Sequence, residues 1–286
     1  QKVFSLHWKM GGFFETHPFL FHHFTESINS IFLSIAFAKP FIQIFIIWLL
    51  ASFISGTKKL FQEKFLIAAI LITPLFQTAG YNKYMGVINE SPTYAIFYGW
   101  TLALLLLFFM PFYDQAIHKK QIAFNHFLKF FLLLFTIVLS LSSAIVPGIA
   151  LIICPMAIFY FWKQAFDEYS SMTLFNRIFS SLKTIPRQLL FIFSFFCILS
   201  LYSIYIGRNN VDNFLTSVSF AERYIHLPMG VYYMFTQKLG MPLLLFLIIL
   251  NLFLISKREK NEETKRIFFH LKWIIFFCIT YTLLLP

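Results

Sequence analysis

The stretch FAKPFIQIFIIWLLASFISGTKK, residues 37–59, decides the fold class of this chain. Residues 37–57 are mostly apolar, and Lys58 and Lys59 close the stretch. A helix of about 20 mostly apolar residues is long enough to cross the hydrocarbon core of a bilayer. The stretch therefore predicts a transmembrane helix.

Further stretches of the same kind fill most of the chain. Hydrophobic residues make up 59% of the sequence and charged residues 12%, and the mean hydropathy is +0.74, which excludes a soluble domain. We predict an all-α integral membrane protein of about eight transmembrane helices, with residues 1–286 forming a single polytopic domain. The other predicted spans are 65–78, 93–113, 127–146, 147–162, 189–206, 241–255 and 273–286. Pro147-Gly148 predicts a tight turn between the fourth and fifth spans.

Lysine and arginine residues alternate between rich and poor connecting segments, which predicts the orientation. Cytoplasmic loops of membrane proteins carry the excess of these cations. The rich set, predicted cytoplasmic, is Lys58, Lys59, Lys64, Lys119, Lys120, Lys163, Lys183, Arg187, Lys257, Arg258, Lys260, Lys265 and Arg266. The poor set is Lys2, Lys9, Lys83, Arg208, Arg223 and Lys238. Residues 1–36 and the loops 79–92 and 207–240 are therefore predicted to lie outside. The net charge of +11 follows from this pattern, so no nucleic-acid partner is predicted.

The segment 163–187 differs from the spans. Met172, Phe175, Phe179 and Leu182 recur at spacings of three and four residues, with cations between them. This pattern predicts an amphipathic helix that lies along the cytoplasmic interface. A helix packed on the protein surface is an equal alternative.

The two ends and the cysteines carry weaker information. The chain starts at Gln1 and ends at Pro286 directly after an apolar run, so we expect further sequence on both sides. Cys154, Cys197 and Cys278 lie within apolar stretches and form no CxxC pair, which argues against a disulfide framework.

Histidines in the first outer segment allow two chemistries. His17, His22 and His23 resemble a histidine box of membrane di-iron desaturases and hydroxylases. His17 and His22 are five residues apart, however, and so do not share a helix face. The remaining histidines are scattered singly, which disfavours an iron site.

The second chemistry comes from short motifs in the outer segments. Glu15, His17, Pro18 and Leu20 precede a span. Thr73-Pro74-Leu75-Phe76 and Glu90-Ser91-Pro92-Thr93-Tyr94 follow later. Over about residues 10–165 this arrangement resembles the multi-spanning C-type glycosyltransferases, whose bacterial members use lipid-linked sugars. The acidic pair that usually opens the first loop of that family is not visible here.

The resemblance implies a transfer reaction at the outer face. Glu15 would act as general base, with Glu90 as second candidate and His17 as orienting or proton-donating group. Lys83, Arg208, Arg223 and His226 would bind the donor phosphate. The implied partners are membrane lipid and a polyprenyl-phosphate sugar, in a bacterial inner membrane. A divalent metal ion remains open as cofactor, and the oligomeric state is unknown.

Two other function classes remain open on the same residues. One is an envelope lipid or polysaccharide transporter or polymerase, although the spans offer mainly Ser, Thr and Asn251 as polar side chains. The other is a non-catalytic membrane subunit of a larger complex, which the missing acidic pair favours.

Overall fold

The computed structural model describes residues 19–73, 95–118, 120, 125–142, 145–170, 173–208, 219–236, 241–257 and 261–284. These residues are helical or lie in short connections, and none of them forms a strand. The predicted all-α fold is confirmed. The helices are α1 (Ser27–Ser55), α2 (Glu63–Ile72), α3 (Thr101–His118), α4 (His126–Ser142), α5 (Ile145–Glu168), α6 (Leu174–Thr184), α7 (Arg187–Arg208), α8 (Phe220–Thr236), α9 (Met241–Lys257) and α10 (Glu262–Leu284). A π-helical turn, Ala95–Trp100, leads directly into α3.

Several of these helices have the length and hydropathy of membrane spans. Four are long and apolar enough to cross a bilayer: Ser27–Ser55, Tyr98–His118, Ile145–Glu168 and Arg187–Gly207. Shorter apolar helices are His126–Ser142, Leu245–Lys257 and Ile267–Leu283. The architecture is that of a multi-pass integral membrane protein.

Helix α1 begins at Ser27, well before the predicted start at residue 37. Serines lower the hydropathy of its first turns, but their hydroxyls are satisfied within the helix. Ser30 Oγ donates to the Ser27 carbonyl at 2.7 Å, and Ser34 Oγ donates to the Ser30 carbonyl at 2.8 Å. With 29 residues at about 1.5 Å each, α1 is about 44 Å long, which exceeds the hydrocarbon thickness of about 30 Å.

Helix α10 also begins earlier than predicted, at Glu262 rather than at residue 273. Asn261 precedes it, and its Oδ1 accepts the Thr264 N–H at 2.8 Å. This is an N-cap bond, which satisfies a donor that has no partner within the helix. The charged residues before the apolar run therefore form the first turns of the same helix.

The predicted turn at Pro147-Gly148 is wrong. Both residues are buried in the first turns of α5, which starts at Ile145. Proline is tolerated in the first turn because the N–H that it lacks would have no helical acceptor there. The connection between α4 and α5 falls on residues 143–144, outside the described residues.

Contacts divide the chain into two compact units. The first contains α1 to α7, and its interior has two apolar clusters that both include α3. One cluster joins α3 to α4, α5 and α7 through Leu105, Phe108, Phe112, Leu132, Phe135, Leu139, Val146, Ala150, Cys154, Leu189, Ile192, Phe193 and Phe196. The other joins α3 to α1 and α2 through Ile42, Ile46, Leu49, Ala51, Phe65, Ala68, Ile72, Ala103 and Met110.

The second unit contains α8, α9 and α10. Helix α8 packs on α9, and the Tyr224 hydroxyl donates to the Leu283 carbonyl of α10. The sequence indicated only a polar loop over 207–240, so the helix at Phe220–Thr236 is a difference from that prediction. The prediction of a single polytopic domain stays a prediction.

The predicted interfacial segment 163–187 contains a separate short helix. Helix α5 continues to Glu168, and α6 occupies Leu174–Thr184. In the described residues the amphipathic pattern is carried by the roughly three turns of α6, at about 3.6 residues per turn, and Met172 of the predicted pattern lies outside those residues.

Candidate functional site

The structure describes only part of the predicted site. Glu15, His17, Lys83 and Glu90 lie outside the described residues. Arg208 is the last residue of α7 in the first unit. The two remaining candidates, Arg223 and His226, both lie on α8 in the second unit.

Helix α8 starts with a capping box made by Ser219 and Glu222. The Ser219 N–H and hydroxyl donate to Glu222 Oε2 at 2.9 and 3.0 Å. The Glu222 N–H lies 3.3 Å from Ser219 Oγ, which accepts its proton. Two backbone donors that the helix leaves free are thus satisfied reciprocally. A serine followed by glutamate three residues later is the sequence signal for this helix start. The prediction of a polar loop over 207–240 did not take this signal into account.

The same bonds set the charge state of Glu222. The pKa of this carboxyl is lowered mainly by the hydrogen bond from the Ser219 N–H and next by that from the Ser219 hydroxyl. The charge interaction with His226 lowers it to a smaller degree. Each favours the ionised form. Glu222 is therefore a carboxylate that holds the helix start, and we do not assign it as a general base.

Arg223 and His226 follow the cap on the exposed surface of α8. They are three residues apart, which makes them neighbours on a helix. A guanidinium donates charge-assisted hydrogen bonds to phosphate oxygens, and an imidazole can add one more. Arg223 is the cationic group of this pair and suits a phosphate oxygen, and the Glu222 carboxylate lies beside it in sequence.

A second polar cluster lies where α1 and α3 end, and the sequence pattern identified only one of its members, Lys120, as a cation of the predicted cytoplasmic set. The Asp114 carboxylate is mostly buried and lies 3.2 Å from Lys120 Nζ. Lys120 Nζ also donates to the Gly56 carbonyl at 2.7 Å, and His118 Nε2 donates to the Phe53 carbonyl at 2.9 Å. We call these five residues the α1–α3 junction.

The α1–α3 junction is built closely around Gly56. This residue has φ +68° and ends α1 in the left-handed conformation, which glycine adopts without steric cost. A Cβ atom there would lie 2.9 Å from the His118 ring. The carbonyls that α1 leaves free at its end are thus bonded by side chains from the end of α3, so the junction has a structural role.

Metal-binding groups are sparse in the part of the chain that the structure describes. No three His, Cys, Asp or Glu side chains there are placed to hold a metal ion. His22 and His23 are exposed beside the start of α1, and His17 lies outside the described residues.

Comparison with known proteins adds no relative. No family model matches the chain, and no curated protein and no solved structure matches it.

Proposed function

We propose that this chain is a C-type glycosyltransferase-like enzyme of about eight spans that transfers a sugar from a polyprenyl-phosphate donor. The reaction would take place at the outer face of a bacterial inner membrane. The observation that carries the proposal is the exposed pair Arg223 and His226 on α8. Helix α8 belongs to the segment 207–240, which the cation distribution predicts to be outside.

The proposed reaction needs a base, a donor site and a leaving group. Glu15, or Glu90 in its place, takes the proton of an acceptor hydroxyl. The hydroxyl oxygen then bonds to the anomeric carbon of the sugar, and the bond from that carbon to the phosphate oxygen breaks. The electron pair leaves with the polyprenyl phosphate.

The remaining candidates stabilise the leaving phosphate or orient the reacting groups. Arg223 and His226 bind the developing phosphate charge, together with Lys83 and Arg208. His17 orients the acceptor or donates a proton.

A transfer assay with the purified full chain in vesicles tests the proposal. Glu15→Gln should lower the rate by about 10²–10⁴-fold, the usual contribution of a positioned base. Arg223→Ala should raise the KM for the donor, and Arg223→Lys should restore part of the binding because it keeps the charge. Lys58→Ala, an exposed cation predicted on the opposite face, is the matched control.

The proposal fails if the wild-type chain transfers no sugar from any polyprenyl-phosphate donor. The phosphate site in particular is disproved if Arg223→Ala and Lys58→Ala have the same KM for the donor. Separate results for Glu15 and Arg223 distinguish a wrong base from a wrong donor site.

A non-catalytic membrane subunit is the second candidate, and another feature of α8 favours it. Ile225 and Met229 are both highly exposed and lie one helical turn apart. In a subunit, this apolar face would pack on a partner protein. A stable hetero-complex in native membranes that Met229→Asp dissociates, together with no transfer activity, would support this alternative over the enzyme.

A further inference from the structure

Helix α6 connects two helices that cross the bilayer. Helix α5 ends at Glu168 and α7 begins at Arg187, and both are long and apolar enough to span a membrane. The two helices also pack on each other. Helix α6, at Leu174–Thr184, therefore lies at the membrane surface where both spans end.

One face of α6 is apolar and uncovered. Leu174, Phe175, Phe179 and Leu182 are all exposed, Phe175 to 71%. Phe175, Phe179 and Leu182 are spaced by four and three residues, which places them on one face. The Phe175 and Phe179 rings contact each other, with centroids 4.8 Å apart, and no described residue covers them.

The opposite face of α6 is attached to α5 through Arg177. Arg177 Nε donates to the Phe166 carbonyl at 2.6 Å, and its guanidinium carbon lies 3.7 Å from the centre of the Phe166 ring. The same guanidinium lies 3.8 Å from the Asp167 carboxylate, and Ser181 on this side is fully buried. These contacts fix the rotation of α6, so its apolar face points away from the protein.

The cations of α6 and its C-terminal flank also differ in whether they contact the protein or solvent. Arg177 is engaged with Asp167 and the Phe166 ring. Lys183 and Arg187 are exposed instead. They lie at the end of α6 and at the start of α7, close in sequence to the exposed apolar face.

We propose that α6 binds anionic phospholipids at the membrane surface. The Phe175 and Phe179 side chains enter the boundary between headgroups and acyl chains, and Lys183 and Arg187 bind the headgroup phosphates. The surface is continuous with the bilayer that α5 and α7 cross, and its charge complements an anionic leaflet. This binding is independent of sugar transfer. It combines the two alternatives for segment 163–187, because α6 packs on α5 through Arg177 and presents its other face to the membrane surface.

Fluorescence quenching in the full chain tests the proposal. The natural cysteines are replaced by alanine, and a bimane label is attached to Phe179→Cys or to Ile198→Cys. The second position is the matched control, because Ile198 is an exposed apolar residue of span α7. Vesicles contain either brominated phosphatidylglycerol or brominated phosphatidylcholine at the same mole fraction.

We expect the label at position 179 to be quenched more strongly by phosphatidylglycerol, with a preference of up to about fivefold per cation. The label at position 198 should respond equally to both lipids. In the double variant Lys183→Gln, Arg187→Gln, the label at position 179 should still be quenched, but equally by phosphatidylglycerol and phosphatidylcholine. These variants leave the Arg177 contacts intact, and gel filtration verifies their fold.

Two results would overturn the proposal. Quenching by neither lipid at position 179 would mean that the apolar face does not reach the bilayer. Equal quenching by both lipids, with Lys183 and Arg187 present, would mean that the surface has no preference for anionic headgroups.

Discussion

The Lys120 ammonium lies 3.2 Å from the Asp114 carboxylate and 2.7 Å from the Gly56 carbonyl oxygen. One cation thus connects the ends of two helices that are distant in sequence. The Asp114 side chain is 13% exposed and that of Lys120 42%. Because the two side chains differ in burial, removing one should reduce the stability of the fold more than removing the other.

Replacing Lys120 should destabilise the fold more than replacing Asp114. Lys120→Met leaves a mostly buried carboxylate without its cation, and we expect a loss of about 1–3 kcal/mol. Asp114→Asn removes the buried charge itself and leaves a cation that reaches solvent, so the loss should be smaller. Thermal unfolding in detergent, followed by gel filtration, measures both. Lys64→Met, at an exposed lysine on α2, is the control and should leave the unfolding temperature unchanged. Equal losses of stability for Lys120→Met and Asp114→Asn would contradict the unequal burial of the two charges.

Two glycines should respond to alanine with opposite signs. Gly56→Ala places a Cβ 2.9 Å from the His118 ring at a residue with φ +68°, so we expect a loss of at least about 1–2 kcal/mol. Gly230 lies within helix α8, and an added Cβ would meet no atom within 4 Å. Gly230→Ala should therefore stabilise α8 by about 0.5–1 kcal/mol. The same thermal assay measures both variants, and an unchanged stability of Gly56→Ala would contradict the close approach of the His118 ring to residue 56.

Phenylalanines of α7 provide a matched pair for the core. Phe196 is fully buried, and its ring centroid lies 5.0 Å from that of Phe108. Phe196→Ala should cost about 3–5 kcal/mol because it leaves a cavity. Phe191 is 61% exposed, so its side chain makes few contacts with the protein. Phe191→Ala should therefore cost less than about 1 kcal/mol, because lipid can fill the space that the ring leaves. Similar losses from both variants would contradict the assigned faces of α7.

Much of the helical framework could be predicted from the sequence, because hydropathy is a local property of each stretch. The helix starts were predicted less well, since they depend on hydrogen bonds at individual residues. The serines of α1, Asn261 before α10, and the Ser219–Glu222 cap are such cases.

The α1–α3 junction could not be predicted for a different reason. Lys120 and Gly56 are 64 residues apart, and no spacing pattern in one sequence shows that they meet. The same limit applies to the candidate site. The sequence supplies Glu15, His17 and Arg223 as chemically suitable groups, whereas their convergence depends on packing between distant segments.

Helix α8 should lose stability at low pH through Glu222. The pKa of this carboxyl is lower in the folded chain than in the unfolded chain, mainly because of the bond from the Ser219 N–H. The ionised form therefore stabilises the helix at pH values above the unfolded pKa, and this contribution is lost as the pH falls through the folded pKa. Hydrogen exchange of the first amides of α8, corrected for intrinsic rates, should show less protection in Glu222→Gln than in wild type at neutral pH. The two should converge in acid, and equal protection at neutral pH would disprove the contribution of the carboxylate charge to the cap.

The predicted orientation can be tested with single cysteines in a chain that lacks its natural ones. Cysteine at Lys119 or Lys260 should react with an impermeant maleimide only from the cytoplasmic side, because both positions lie in cation-rich segments. Cysteine at Asn82 or Asn210 should react only from outside. Right-side-out and inverted vesicles provide the two exposures, and detergent provides the reference for full labelling. Reaction of Asn82→Cys and Lys119→Cys from the same side would contradict the predicted crossing between them, and α8 would then lose its assignment to the outer face.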